Sequence, residues 1–200
     1  MFTGIVREVG TVSRLERARG VVRLTVDAPT IARGVEPMES VCVSGVCLTV
    51  VAARRGALVF ELIPETQRLT SLAGLRRGSR VNLEPSLSLA DRLNGHLVFG
   101  HVDDVGRVQR RAERSGEVTL WIQAPAALRS WIVPKGPIAV DGVSLTVGRT
   151  VRSGVFPVHL IPETLRRTAL GERGPGSPVN LEADYVAKLV AQALRRLTGT

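Results

Sequence analysis

Cys47 and Ser144 occupy the same place in two copies of one hexapeptide, Gly45-Val46-Cys47-Leu48-Thr49-Val50 and Gly142-Val143-Ser144-Leu145-Thr146-Val147, 97 positions apart. A thiol in one copy is a hydroxyl in the other, while Thr49 and Thr146 are kept. Elsewhere in the same register Ile5 is replaced by His101 and Glu61 by His159. Unequal polar groups at equivalent places suggest two similar pockets with divided chemical work. A thiol acts as a nucleophile when a positive neighbour or dipole favours the thiolate; otherwise Cys47 is a small buried group of a β core. Ser144 and Thr146 can bond a ligand's carbonyls or satisfy strand-end backbone groups. His101, with His96 five residues earlier, suits proton shuttling, although a lone histidine is more often a surface or satisfied residue. Lys135, between Pro134 and Gly136, can reach a phosphate, carbonyl or hydroxyl, or simply mark a solvated turn. Asp184 is either a catalytic carboxylate or the cap of a terminal helix.

Several function classes are excluded by what surrounds these groups. No P-loop occurs, no Gly-x-Gly-x-x-Gly follows a strand, and no His/Asp/Glu set has metal-ligand spacing. The only cysteines, Cys42 and Cys47, lie five apart, which on one continuous strand puts them on opposite faces. An intrachain disulfide is therefore not expected, in keeping with a reducing compartment. The net charge of +9 raises a nucleic-acid reading. However, the arginines are scattered in ones and twos, only Lys135 and Lys188 are lysines, and aromatics make up 4% of the chain. That pattern is a solvated basic surface rather than a nucleic-acid interface. No apolar run approaches the ~18–20 residues a bilayer requires. The opening residues show no charged segment followed by an apolar one, so the cytoplasm is the expected location and no membrane partner is expected.

The positioning elements follow from the repeat. Gly4-Ile5-Val6 and Val9-Gly10 match Gly100-His101-Val102 and Val105-Gly106 at an offset of 96. Leu62-Ile63-Pro64-Glu65-Thr66 matches Leu160-Ile161-Pro162-Glu163-Thr164 at 98, as Val81-Asn82-Leu83-Glu84 matches Val179-Asn180-Leu181-Glu182. Blocks in one order with a drift of two residues mean tandem duplication of a module of about 95 residues, a domain-sized unit. Within each module, Val21 to Val26 and Glu117 to Ile122 have the β-branched, partly alternating pattern of half-buried strands. Ser40 to Val51 and Ile138 to Val147 are longer strands broken by a glycine, at a bulge or a hairpin turn. Ala57 to Ile63 and Val155 to Ile161 end at a proline. Short strands at even spacing predict an all-β closed barrel or compact sandwich. Short helical turns are expected at Pro29–Ala32 and Ala124–Ser130. The chain ends in an amphipathic helix with Val186, Leu189, Val190, Ala193, Leu194 and Leu197 on one stripe. That stripe serves either self-association or packing against its own chain.

Taken together, Met1-Phe2-Thr3-Gly4-Ile5-Val6, the two hexapeptides, Gly95-His96-Leu97-Val98-Phe99-Gly100-His101-Val102-Asp103 and both Leu-Ile-Pro-Glu-Thr blocks resemble the riboflavin synthase (lumazine-binding repeat) family over essentially the whole chain. The resemblance implies two six-stranded Greek-key barrels, at 1–96 and 97–183, with a C-terminal helix at 184–200 that holds a homotrimer. It implies dismutation of two 6,7-dimethyl-8-ribityllumazine molecules to riboflavin and 5-amino-6-ribitylamino-uracil by four-carbon transfer, with no external cofactor or metal. Lumazine synthase is a candidate associated partner. The active site would form where the N-barrel of one subunit faces the C-barrel of a neighbour. Carried over, Gly4, Ile5, Val6, Cys47, Leu48, Thr49, Glu61, Leu62, Ile63, Pro64, Glu65 and Thr66 would line the N-barrel pocket. Gly100, His101, Val102, Ser144, Leu145, Thr146, His159, Leu160, Ile161, Pro162, Glu163 and Thr164 would line the C-barrel pocket, with Lys135 reaching across the subunit contact. Cys47, His101, Ser144, Thr146 and Asp184 would be the catalytic groups. The chain departs from the family pattern at Ser44, where Asn or Asp is usual, at Asn94, and at Phe99, where a small or polar residue is usual. A non-catalytic lumazine- or flavin-binding relative is the alternative.

Overall fold

The computed structural model describes residues 1–149 and 151–198. In the first repeat the strands are β1 (Glu8–Ala18), β2 (Val21–Asp27), β3 (Ser40–Val43), β4 (Val46–Arg54), β5 (Ala57–Leu62) and β6 (Arg80–Pro85). They close into an antiparallel barrel in the order β1-β2-β5-β4-β3-β6. Because β2 pairs with β5 and β3 with β6, the β2–β3 connection skips its neighbours, which makes the barrel a Greek key. Along β2, Val22, Leu24 and Val26 point inward and are at most 5% exposed, while Arg23 and Asp27 face solvent. This period of two is what places half of each strand in the core. Leu24, Leu58, Phe60 and Leu83 are fully buried there, each worth ~1.5–3 kcal/mol of apolar burial.

The second repeat has β7 (Asp104–Arg114), β8 (Glu117–Gln123), β9 (Pro137–Val140), β10 (Val143–Thr146), β11 (Val155–Leu160) and β12 (Pro178–Ala183). They form a six-stranded sheet in the equivalent order, β10-β9-β12-β7-β8-β11. Among the described residues its edge strands meet at the bridge Val147↔Val158, beside the Gly148 N–H to Pro157 carbonyl bond of 2.7 Å. This seam is looser than the β4–β5 ladder of the first repeat, which pairs from Val50–Phe60 to Arg54–Ala57 around one bulge. The prolines expected to stop β5 and β11 also start helices: α1 (Pro64–Leu69) and α2 (Pro162–Arg167) each carry proline in the first turn. Short 3-10 turns occupy Ile31–Arg33 and Ala126–Trp131.

The glycine break in each long strand is a hairpin turn. Ser44 and Gly45 both have positive φ (45° and 87°), as do Asp141 and Gly142 (45° and 75°), the requirement of a two-residue type I′ turn. This corrects the placement of the cysteines on opposite faces. The chain reverses between them, and Cys42 stands directly opposite Cys47 on the β3–β4 ladder.

The repeats join about a pseudo-twofold contact of these turns; a Cβ on Gly142 would lie 2.7 Å from the Gly45 nitrogen. Asn82 and Asn180 cross the contact reciprocally. The Asn82 amide donates to the Asp141 carbonyl (2.9 Å) and accepts from Ala169 N–H (2.7 Å). The Asn180 amide donates to the Ser44 carbonyl (2.7 Å) and accepts from Ser71 N–H (2.7 Å). After β12 comes α3 (Tyr185–Thr198), with Asp184 accepting the Ala187 N–H at 3.0 Å as its N-cap. Lys188 ties the helix back to Asp103 at 2.6 Å, but Val186, Leu189, Val190 and Leu197 remain exposed. One face thus packs on the chain and another does not.

Candidate active site

Each repeat's opening segment crosses to the other repeat's hexapeptide. The Gly4 carbonyl accepts the Ser144 N–H and the Gly100 carbonyl accepts the Cys47 N–H, both at 2.8 Å. Both glycines have φ of 75°, and a Cβ on either would lie 2.6 Å from the Cβ of Ser144 or Cys47, respectively. Only glycine fits so close a crossing. Buried carboxylates hold the segments in place. Glu84 accepts from Thr3 N–H, Thr3 Oγ and Gly4 N–H at 2.7–2.9 Å. Glu182 accepts from Phe99, Gly100 and His101 N–H at 2.7–3.1 Å. The grouping implied by the resemblance is therefore corrected. Gly4, Ile5 and Val6 line the hollow of the second repeat, and Gly100 packs on Cys47 of the first, with Val102 against the first core. The reason is the pseudo-twofold: an entry strand beginning at the junction reaches the neighbouring barrel first.

Two adjoining hollows make the second-repeat pocket. One of about 190 Å³ is bounded by Gly4, Ile5, Val6, Ser144, Ile161, Glu163, Thr164 and Arg167. The other, about 590 Å³, is bounded by His96, Lys135, Ser144, Leu145, Thr146, His159, Ile161 and Thr164. Ser144, Ile161 and Thr164 belong to both. His96 Nδ1 lies 2.7 Å from Ser144 Oγ. Burial holds the His96 imidazole below its ordinary range, and the negative charge of Asp184 partly opposes that shift. Asp184 thus acts on this pocket through His96 as well as capping α3. Lys135 sits at a left-handed turn position (φ 68°) with its side chain in solvent. His159 Nδ1 meets Glu117 Oε1 at 2.9 Å and Thr119 Oγ1 at 3.0 Å. Its counterpart Glu61 instead pairs with Arg23 at 2.7 Å, so a carboxylate in one repeat stands where the other has an imidazole.

At the equivalent place in the first repeat Cys47 is half-buried, and Thr49, His101 and Ile63 are exposed. Phe99 stacks on the His101 ring with centroids 6.2 Å apart and meets Tyr185 of α3 at 4.9 Å. Thr66 is half-buried at the start of α1, and Glu65 pairs with Arg68. Glu163 of α2 pairs with Arg166 and Arg167, which lower its pKa through hydrogen bonds, Arg167 first. Leu48, Leu62 and Leu160 are at most 5% exposed and belong to the barrel cores, so only their backbones are available to a ligand. His96, Gly95 and Arg167 are pocket residues that the site assignment from sequence did not include. His96 carried a signal, being one of three histidines and lying in the Gly95–Asp103 block. Arg167 carried none among so many arginines.

Barrel pair and crossed entry segments define a duplicated architecture, and the chain belongs to the lumazine binding domain family, whose sequence model matches residues 3–86 and 99–184. At the level of particular proteins, it is 42% identical over 199 residues to the riboflavin synthase of Mycobacterium tuberculosis strain H37Rv, covering 98% of each chain. It is 37% identical over 196 residues to that of Bacillus subtilis strain 168, covering 98% of this chain and 91% of the relative. Among solved structures, LumP complexed with riboflavin superposes with a TM-score of 0.86 at 25% identity, over 92% of this chain and 100% of that one. LumP complexed with 6,7-dimethyl-8-(1'-D-ribityl) lumazine gives 0.83 at 25% identity, over 92% of this chain and 99% of that one.

Proposed function

We propose that this chain is a riboflavin synthase, converting two 6,7-dimethyl-8-ribityllumazine molecules to riboflavin and 5-amino-6-ribitylamino-uracil. The observation that carries the reading is the pair of quasi-equivalent crossings, Gly4 on Ser144 and Gly100 on Cys47, with different polar equipment. Ser144 with His96 stands in one, and Cys47 with Gly100–Val102 in the other. A reaction that uses one compound in two roles, as donor and as acceptor of four carbons, needs such a pair. The riboflavin synthase relatives, matched along nearly the whole chain, support it.

Chemically, the 7-methyl group of one lumazine must lose a proton, and the resulting anion is delocalised into the ring. A neutral His96 can take a proton or hold the Ser144 hydroxyl against a ring heteroatom. Thr146 and Lys135 border the same space and suit hydrogen bonds to the polar ribityl chain. Cys47 and His101 fill the corresponding role for the second molecule. Four carbons leave one ring system and complete the other, so no external oxidant or reductant enters the balance. Holding both molecules in one dry cleft supplies much of the rate through proximity.

That cleft would form between subunits of a homotrimer in the cytoplasm, with the N-terminal pocket of one subunit facing the C-terminal pocket of the next. The exposed apolar side of α3 is the surface that supports assembly. Association with lumazine synthase is the wider assembly to look for, by co-elution of the two proteins. The deciding experiment incubates the purified chain with 6,7-dimethyl-8-ribityllumazine and follows riboflavin absorbance. Folded protein that binds the lumazine stoichiometrically without forming product would make it a carrier instead.

A further inference from the structure

Cys42 and Cys47 face each other across the β3–β4 hairpin. The two-residue turn makes Val43 and Val46 its closing hydrogen-bonded pair, so the cysteines form the next, non-hydrogen-bonded pair. In agreement, the Cys47 N–H donates to the Gly100 carbonyl rather than to Cys42. At such a pair the Cα atoms stand ~4.5 Å apart, inside the ~4.4–6.8 Å range that a disulfide spans. Both side chains lie on the same face, in the small cluster with Phe2, Val98 and Ala139 at the barrel junction. The second repeat has Ala139 opposite Ser144 at the equivalent places. A dithiol therefore occurs in one repeat only. The partners are unequal: Cys42 is 2% exposed, with burial pushing its thiol well above the usual range, whereas Cys47 is half-buried and is the counterpart of Ser144, which lines the second-repeat pocket.

We infer that Cys42 and Cys47 are a reversible oxidation site for peroxide, closing to a disulfide that withdraws the Cys47 thiol from the ligand site proposed for the first repeat and leaves the second-repeat pocket intact. The Cys47 thiolate attacks a peroxide oxygen; the S–O bond forms, the O–O bond breaks, and the departing hydroxide takes a proton to become water. The Cys42 sulfur then attacks the Cys47 sulfur; the S–S bond forms, the S–O bond breaks, and a second water leaves. Two thiols are oxidised by two electrons as one peroxide is reduced, and a dithiol reductant reverses the change.

The closure of the pocket rests on the riboflavin synthase reading; the thiol chemistry does not. The test titrates the reduced full chain with hydrogen peroxide, counts thiols after denaturation and maps the Cys42 and Cys47 peptides by mass spectrometry. Both thiols should disappear together, with loss of two hydrogens in mass, and return with dithiothreitol. Cys42→Ala copies the alanine of the second repeat, so it should fold and turn over normally, yet oxidise at Cys47 to a sulfinate that dithiothreitol does not rescue. Wild-type protein in which Cys47 gains oxygen while Cys42 keeps its thiol overturns the inference. The oxidised chain should bind half as much 6,7-dimethyl-8-ribityllumazine as the reduced chain. Unchanged stoichiometry in protein carrying the disulfide overturns the closure. A reduced, folded chain that forms no riboflavin would instead overturn the synthase reading and leave the disulfide result standing.

Discussion

His96 Nδ1 sits 2.7 Å from Ser144 Oγ, and that contact joins the segment between the barrels to the strand that carries the second pocket's hydroxyl. A neutral ring with its proton on Nε2 can accept the Ser144 O–H at Nδ1; a protonated ring cannot. Burial keeps the ring neutral to lower pH than an ordinary histidine, against the pull of Asp184. The acid limb of kcat should therefore fall below the ordinary histidine value of about 6.5. Asp184→Asn, by removing the opposing charge, should move that limb lower still. His96→Gln should cost about a hundredfold in kcat, the lower range for a positioned acid or base. The linkage has a definite sign. A lowered folded-state pKa makes the protonated form costlier in the folded chain, so stability declines as pH falls from the ordinary value through the folded one, and levels below it. Urea midpoints measured across that window should show this decline in the wild type and a flatter profile in His96→Gln.

Glu182 accepts three backbone N–H groups of the Phe99–His101 segment. Glu182→Ala leaves those donors without an acceptor in a buried place, a loss of about 1–3 kcal/mol or more. The Gly100 carbonyl then no longer holds the Cys47 N–H, so lumazine binding should weaken at the first-repeat pocket. Glu84→Ala should do the same at the second. Paired isothermal titrations of the two variants, each expected to keep one of two sites, check the crossed arrangement. Loss at the same pocket in both would contradict it.

How much of this was legible beforehand differs between elements. The repeat, the strands and the terminal helix follow from block spacing and period-two alternation, which local sequence carries directly. The position of Cys42 relative to Cys47 did not follow. Ser44-Gly45 could be a bulge or a turn, and the choice flips the face of every residue beyond it. The crossing of Gly4 to Ser144 was equally hidden, since it depends on how two barrels dock. The pairs Asn82–Asp141 and Asn180–Ser44 that set this docking are long-range. Phe99, unusual for its position, proves to be a wedge between His101 and Tyr185, and the second of these contacts forms only once α3 is placed.

Gly95 also lies at the crossing. A Cβ there would collide with the Thr3 carbonyl and stand 2.9 Å from Ser144 Cβ. Backbone cannot yield as a flexible side chain can. Gly95→Ala should thus cost about 1–3 kcal/mol through overpacking and disturb the neighbouring His96–Ser144 contact. Thermal melts and kcat should both fall, whereas Gly34→Ala, in open space, should leave activity unchanged.

The α3 surface bears on assembly. Leu189 and Val190 are about half exposed, at 48% and 53%, on a helix anchored by the Lys188–Asp103 pair. If the apolar side seals a trimer, Leu189→Asp with Val190→Asp should yield monomers by analytical ultracentrifugation with an unchanged circular-dichroism spectrum. Turnover should then fall, since the facing pockets separate, while lumazine binding persists.

The Asp141–Arg173 pair allows a test that the protein itself has prepared. Asp141 is fully buried; its Oδ2 accepts from Arg173 Nε (2.9 Å) and Nη2 (2.7 Å), and its Oδ1 accepts the Asn180 N–H (2.8 Å). In the first repeat the equivalent residues are Ser44 and Leu75, and Ser44 Oγ accepts the matching Asn82 N–H at 3.1 Å. The hairpin turn is thus tied to the next strand in both repeats, once by an ion pair and once without charge. Removing only the guanidinium strands a buried carboxylate whose pKa burial already raises, so Arg173→Leu should cost about 3–5 kcal/mol. Asp141→Ser should cost less, because the Arg173 side chain is 24% exposed and can turn to water. The double variant rebuilds the first repeat's solution and should recover most of the loss. A coupling energy of about 2–3 kcal/mol in urea denaturation is expected. Strictly additive losses would mean that the two repeats do not tolerate each other's chemistry at this turn.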